Sequence, residues 1–412
     1  MSVISKFYPD IPSPVPPAST YRFAAFWAFV LVVLELLRIV GFVSVDIDHI
    51  VLLGMMLVPV VWSMFSSGIR LDKLYMAFFI YLVMNLLITQ PLPLFRSWER
   101  LGLFVGLLVC MAPVIENRYS RFFRFYCFKY FMMLAVPLAL ISLVCYFMGV
   151  NYTRTAFSKD ITHAGVFAGL FQTSMVLGPI SAIATCFSFW SFRVTKRKLW
   201  LIVAILCMGA NLFSASRSSV FGCVVGCVAI IFFGNKRRTK SLKQLFIVAI
   251  LACLSFPLWE EATSGISQKN ESNEVLGQYG TRTQKFEARM SEFDSSPIFG
   301  VGFASVNPKG KDIYNKYTGV VEPGSSWLGV ASMTGIIGLL FMIAIYIKAF
   351  RSALRSQSPY GNLLVGLIFY SAFHQLFEGY VLAAGSVLCL IFWLTIGTAT
   401  DLKYSHLGYC NK

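Results

Sequence analysis

Twelve runs of mostly apolar residues, separated by short clusters of Lys and Arg, dominate this sequence and leave few folds open to it. They lie at 23–45, 49–66, 74–90, 100–116, 128–149, 164–191, 199–213, 219–234, 243–259, 325–348, 359–377 and 380–399. A helix needs about 20 such residues to cross about 30 Å of hydrocarbon, and most of these runs meet or approach that length. The expectation is an all-α, polytopic integral membrane protein of about 12 transmembrane helices. Composition agrees. Charged residues make up 13% of the chain and apolar ones 57%, whereas a soluble domain covers itself with about 25% charge. Lipid is part of the solvent.

The loops set the orientation. The basic residues of one side are Arg70 and Lys73, the 118–129 cluster, Arg193 to Lys198, the 236–243 cluster, Lys348 to Arg355 and the tails. Together they hold 22 of the 35 Lys and Arg residues. The short loops of the other side hold Arg96, Arg100, Arg154, Lys159 and Arg217. By the positive-inside rule the richer side is cytoplasmic, with both termini, and 260–324 lies outside. The expected organisation is a proline-rich cytoplasmic leader at 1–22 with no cleavable signal and helices 1–9 over 23–259. A large periplasmic loop at 260–324, helices 10–12 over 325–399 and a cytoplasmic tail at 400–412 complete it.

A formal charge of +16 invites a nucleic-acid reading, because clustered cations neutralise phosphates. Here the cations sit between apolar runs, which is the pattern of membrane topology, so no nucleic-acid partner is expected. The cysteines lie almost all in or beside the apolar runs, as packing residues do. Cys223 and Cys227 are spaced i, i+4 with no His or further Cys nearby in sequence, so no metal site is expected. Nucleotide-binding and zinc-protease motifs are missing as well, and the aromatic content is what helix packing and interfacial belts require.

The loop 260–324 differs in kind, with seven basic and nine acidic residues. Its stretch 281–293 reads as an amphipathic helix carrying Phe286, Met290 and Phe293 on an inward face. Ser295, Ser296 and Pro297 end it, and Gly300 and Gly302 make a tight turn. Arg282, Lys285 and Arg289 form a basic stripe on that helix, which is suited to an anionic group but is also what an ordinary solvated face looks like. Arg217 stands among hydroxyls in Ser214–Ser219 at the start of a span, where helix N–H groups favour an anion. A snorkelling Arg would look the same.

Ionisable groups near the membrane are costly and therefore informative. Glu322 precedes the tenth span. His374 and Glu378 lie at the outer end of the eleventh, either as acceptors of a sugar hydroxyl's proton or as a mutual helix-end pair. Glu35 and Arg38, spaced i, i+3, read as a neutralised structural pair, and His163 as a surface residue. No internal repeat is visible, which weakens a transporter built from two related halves.

At 214–219, 280–303 and 322–338 the chain resembles the O-antigen ligase/polymerase superfamily, which includes the Wzy-type O-antigen and exopolysaccharide polymerases. Ser216-Arg217-Ser218 is similar to the family's Ser-Arg at the start of a span. Gly280-Thr281-Arg282, followed by Ser296 to Phe303, looks like its large-loop signature. Ser325-Ser326-Trp327-Leu328 with Thr334 to Gly338 looks like its membrane-re-entering segment. His163 to Phe167 and Gly178-Pro179 match more weakly. The ligases typically carry a His-Asn pair after the proline, where this chain has Gly324 and Ser325, and that departure is more like the polymerase branch.

The resemblance implies a glycosyltransferase of the bacterial inner membrane with its active site facing the periplasm. It would polymerise undecaprenyl-diphosphate-linked repeat units into O-antigen or a related polysaccharide, the lipid diphosphate being the leaving group. Fixed cations stabilise such a leaving group, so neither metal nor other cofactor is required. Arg217, Arg282 and Arg289 fit that role, with Lys285 beside them, and Glu322, His374 or Glu378 would take the proton. Donor and acceptor lipid-linked glycans, the bilayer, a chain-length regulator and a flippase are the implied partners. The rival readings are a ligase acting on lipid A-core and a lipid-linked oligosaccharide flippase or other transporter.

Overall fold

The computed structural model describes residues 22–41, 49–67, 70–152, 167–234, 281–308, 314, 319, 321–356 and 358–404. The expected span at 243–259, His163, the leader, the first part of the large loop and most of the tail lie outside the described residues. The described chain is helical, with three isolated β-bridges. Its helices are α1 (Arg22–Ile39), α2 (His49–Ser67), α3 (Lys73–Thr89), α4 (Ser97–Met111), α5 (Arg118–Phe147) and α6 (Ser174–Thr195). They continue as α7 (Lys198–Phe213), α8 (Arg217–Gly234), α9 (Thr281–Ser295), α10 (Ser326–Arg355), α11 (Tyr360–His374) and α12 (Val387–Asp401).

On length and composition α5, α6, α8 and α10 are sufficient to cross a membrane, and shorter apolar helices join them at Ile50–Trp62, Lys73–Thr89, Lys198–Phe213 and Val387–Asp401. Every described apolar run of the sequence is occupied by a helix. The chain is a multi-pass membrane protein. Large apolar side chains such as Phe26, Trp62, Phe65, Ile80, Ile205 and Phe221 stand exposed along the helices, which hydrocarbon tolerates and water does not.

The ends of the helices sort as the loop charges require. At one end Asp72 caps α3 through Leu74 N–H (3.0 Å) and pairs with Lys348 of α10. The buried Arg124 of α5 meets Asp401 of α12 at 2.7 Å and donates to the Ala112 and Ile115 carbonyls past the end of α4. Lys403 reaches Glu116 at 2.6 Å. These residues all come from the loops that carry the excess of Lys and Arg. At the opposite end Arg38 pairs with Glu35 at 2.9 Å and donates to the Gly385 carbonyl, while Gln172 Nε2 donates to the Arg38 carbonyl. Arg100 Nη1 there reaches Ala304 of the large loop. The two sets of loops thus lie at opposite ends of the bundle.

Without a hydrophobic force between helices in lipid, close backbone approach carries the packing. Gly226 of α8 lies against Gly366 of α11, where a Cβ would fall 3.0 Å from the Gly366 carbonyl.

One helix is broken. In α10, Gly335 has φ 64° and ψ −170°, dividing it into 326–334 and 336–355. A Cβ at Gly335 would collide with the Ile298 carbonyl and the Phe299 amide. The break exists because another segment of chain fills it.

Candidate active site

The filling segment is the loop after α9. Val301 N–H donates to the Ser332 carbonyl (2.8 Å), Gly302 N–H to Met333 (3.0 Å), and Ile336 N–H to Pro297 (2.8 Å). Backbone groups orphaned by the break are thereby satisfied, which a low-dielectric interior demands. Tyr81 adds its hydroxyl to the Thr334 carbonyl. The expected tight turn is present, with Gly300 at φ 72° and Gly302 at φ 113°.

Asn85 of α3, fully buried, clamps the same loop from the other side. Its Nδ2 donates to the Phe299 carbonyl at 2.5 Å and its Oδ1 accepts from Phe303 N–H at 2.9 Å. Asn85→Leu would strand both backbone groups, at about 1–3 kcal/mol each. A lowered thermal midpoint of the purified protein, with loss of activity, is the expected outcome. An unchanged midpoint would show that the loop is anchored without Asn85.

The first half of α10 begins at the opposite end from the Lys/Arg-rich loops. Ser325 caps it, accepting from Leu328 N–H, and donates to the Gln375 carbonyl at 3.2 Å. Ser326 N–H faces the Gln375 and Glu378 carbonyls at 2.9 and 3.1 Å. The Ser326 hydroxyl donates to Glu378 O at 2.6 Å and accepts from Tyr380 N–H at 3.0 Å. Two serines therefore fasten the turn after α11 to the start of α10.

That turn carries Glu378, and Ser218 Oγ donates to its carboxylate at 3.3 Å. Ser218 is the second residue of α8, next to the exposed Arg217. The chain enters α8 through Ala215 in the left-handed region, φ 52°, and Ser214 and Ser216 lie against Gly178 near the start of α6. Three helix N-termini, of α6, α8 and α10, are linked through these contacts, and the positive ends of their dipoles face the same end of the bundle.

His374 is the last residue of α11, so Glu378 is not one further turn along the same helix face. The buried His374 meets Tyr380 instead, Nδ1 to hydroxyl 3.2 Å. Gln375 alongside accepts from the Tyr346 hydroxyl at 2.6 Å.

The loop helix α9 forms over the expected residues, but its buried face is the charged one. Arg289 and Glu292 are fully enclosed and paired at 2.9 Å, and Glu292 also accepts from Asn307 N–H at 2.9 Å. Phe286 and Phe293 are half-buried and Met290 is exposed. The physical reason is that the helix packs on polar backbone, the loop at Asn307 and the half-helix at Ser332, where a carboxylate finds partners and an apolar face does not. Burial pushes the Glu292 carboxyl up, against the opposing pull of Arg289, Asn307 and Ser332, and burial lowers Arg289.

Lys285, one turn earlier, pairs with Glu322 at 2.6 Å, and Glu322 keeps 70% of its side chain exposed. Water and solutes therefore still reach this pair. The Lys285 side chain lies over Gly324, and on the other flank of Pro323-Gly324 sits Gly379, beside Glu378.

An arc thus runs from Lys285 and Glu322, across Pro323-Gly324, to Glu378, Ser218 and Arg217. Arg289 is not in it, being enclosed with Glu292, and the Arg282 side chain lies outside the described residues. Asn85, Gln375 and Tyr380 are site-forming residues to which the sequence assigned no role, and Ser326 stood out only within the Ser325-to-Leu328 motif. For Asn85 the available signal was a lone Asn inside an apolar run.

The arc can hold an anionic group at helix N-termini flanked by Arg217 and Lys285, with carboxylates within the same contacts to accept a proton. Among protein families, residues 202–343 match the model described as O-antigen ligase. That stretch runs from α7 through α8 and α9 into the second half of α10. No curated protein matches the chain.

Proposed function

We propose that this multi-pass membrane protein, whose residues 202–343 carry an O-antigen ligase-family domain and which processes glycans of the O-antigen kind in the membrane, is a polymerase of lipid-linked repeat units. It works at the end of the bundle opposite the Lys/Arg-rich loops, the periplasmic face of the inner membrane. The donor glycan is held by undecaprenyl diphosphate. A hydroxyl at the non-reducing end of the acceptor attacks the anomeric carbon of the donor. The bond to diphosphate breaks, the diphosphate leaves with the electron pair, and the hydroxyl proton passes to a carboxylate.

The observation that carries this reading is the contact between the start of α8 and the turn after α11. Ser218 Oγ lies 3.3 Å from Glu378 Oε1, with Arg217 adjacent in the chain. A leaving group gaining negative charge is stabilised by Arg217 and the N–H groups behind it, and Glu378 stands where an acceptor hydroxyl would give up its proton. Lys285 and Arg282 on α9 serve the far side of the diphosphate, and Glu322 holds Lys285 until substrate arrives. His374, enclosed beneath, positions Tyr380 and the turn. Arg289 fixes the loop against the half-helix.

The family description favours a ligase as the second reading, and its usual His-Asn pair is replaced here by Gly324 and Ser325. Deleting the gene separates the two. A polymerase deletion leaves surface lipopolysaccharide bearing a single repeat unit, which is the expected band. Bare core, with finished polymer stranded on the lipid carrier, would make the protein a ligase and end the polymerase reading.

A further inference from the structure

The structure gathers three thiols that the sequence keeps apart. Cys223 and Cys227 project from one face of α8, and Cys186 of α6 comes between them, the three Sγ atoms all lying within 4.8 Å of one another. We propose that Cys186, Cys223 and Cys227 are a binding site for a soft, thiophilic d10 cation inside the bundle. The expectation of no metal site at Cys223 and Cys227 rested on spacing in sequence. Folding supplies the third ligand from 37 residues away.

The dimensions suit such an ion. Thiolate sulfurs about 2.3 Å from a metal in a planar three-coordinate arrangement stand about 4 Å from one another, so small side-chain rotations close the site. Thiolate ligands select soft metals over the hard cations that prefer oxygen.

The place is built for sulfur. Gly226 lies between the two α8 cysteines in sequence, and a Cβ there would fall 3.1 Å from Cys186 Sγ. Its missing side chain admits Cys186. The contacts of these thiols with main-chain carbonyls are long, Cys186 Sγ to Cys223 O at 3.9 Å and Cys223 Sγ to Ala182 O at 3.6 Å. A cation displaces little by taking their place. The other described cysteines, Cys110, Cys127, Cys145, Cys207 and Cys389, form no such trio with each other or with His, Asp and Glu.

Binding ionises the thiols and sends their protons to solvent. With a divalent ion three thiolates leave the site at a net charge of −1, far less costly in hydrocarbon than three isolated anions. Cys223 stands six residues along α8 from Arg217, about 9 Å deeper at 1.5 Å per residue.

The test is anaerobic titration of the purified protein in detergent with CdCl2, followed by the ultraviolet thiolate-to-cadmium band. One saturable equivalent per chain is expected. Cys186→Ser, Cys223→Ser and Cys227→Ser should each weaken binding by more than the roughly 10- to 100-fold that loss of an outer-sphere partner costs, with Cys207→Ser unchanged. A band of equal strength in Cys186→Ser, or none in the wild type, overturns the site. Should a variant fail to fold, alkylation of the unaltered protein decides, read by mass spectrometry. Cd2+ should protect Cys186, Cys223 and Cys227 and leave Cys207 as it was, and equal protection of Cys207 sinks the proposal.

Discussion

Cells whose only copy of this protein carries Arg217→Ala are expected to lose long polysaccharide chains while making normal amounts of the protein in the membrane. Arg217 is an exposed first-turn residue of α8, so its removal opens no cavity. What disappears is the one side-chain cation at the helix N-terminus that Ser218 joins to Glu378. Removing a group aimed at developing charge costs about 10^2–10^3 in rate. A processive polymerisation slowed to that degree shows only the first one or two repeat units as bands on a lipopolysaccharide gel.

Arg217→Lys is the informative companion. Lysine keeps the charge and loses the forked donor geometry, so a partial ladder is expected. Wild-type banding from Arg217→Ala would remove α8 from the chemistry. Membrane fractions probed for protein level distinguish a dead site from a lost protein.

Gly335→Val is expected to be the most disruptive single change in the molecule. The φ 64°, ψ −170° of Gly335 is a conformation essentially reserved for glycine, and forcing another residue into it costs about 1–3 kcal/mol. The side chain would also strike the Ile298 carbonyl and the Phe299 amide. Either the loop leaves or the helix straightens. Both outcomes break the hydrogen bonds from Val301, Gly302 and Ile336 to Ser332, Met333 and Pro297, at about 1–3 kcal/mol for each buried group left unpaired. The combined loss rivals the whole margin of an ordinary domain, about 5–15 kcal/mol. Size-exclusion of the solubilised protein should show aggregate or nothing, and Gly335→Ala an intermediate, heat-sensitive species. A Gly335→Val protein that elutes and melts like wild type would mean that the break is not held by glycine.

The transmembrane plan was legible because hydrophobic length and loop charge act locally. The described runs became helices, but several ends lie well away from those expected: α5 begins at Arg118 rather than 128, α6 at Ser174 rather than 164, α12 at Val387 rather than 380, and α10 runs on to Arg355 rather than 348. The loops separated as Arg124, Lys348 and Lys403 indicated. The amphipathic helix at Thr281–Ser295 was also visible, as was the Glu35–Arg38 pair. Its buried face was not. The apolar spacing of Phe286, Met290 and Phe293 suggested one side, whereas the helix buries Arg289 and Glu292 against the loop and half-helix it packs on. No periodicity in its own sequence encodes that neighbour.

The candidate site was legible only as a set of suspects. Arg217, Glu322 and Glu378 stood out as costly groups near a membrane. Their grouping depends on Ser326 receiving the turn after α11, and on Pro323-Gly324 lying between Lys285 and Gly379. Those are contacts between segments distant in the chain. The helical continuation from His374 to Glu378 was equally undecidable, because the end of α11 is set by Ser325 and Ser326 on another helix. Cys186 is the same lesson from the interior, where two thiols in one helix meet a third from another.

The joint between the loop and the broken half of α10 is written almost wholly in main-chain atoms. Peptide groups are common to every residue, so the hydrogen bonds of the joint do not depend on which side chains stand along 296–303, with Asn85 and the glycines as its fixed points. For anyone building chimaeras, it follows that the outer loop and the broken helix are a single heritable part. A crossover placed between them would pair one relative's plug with another's socket.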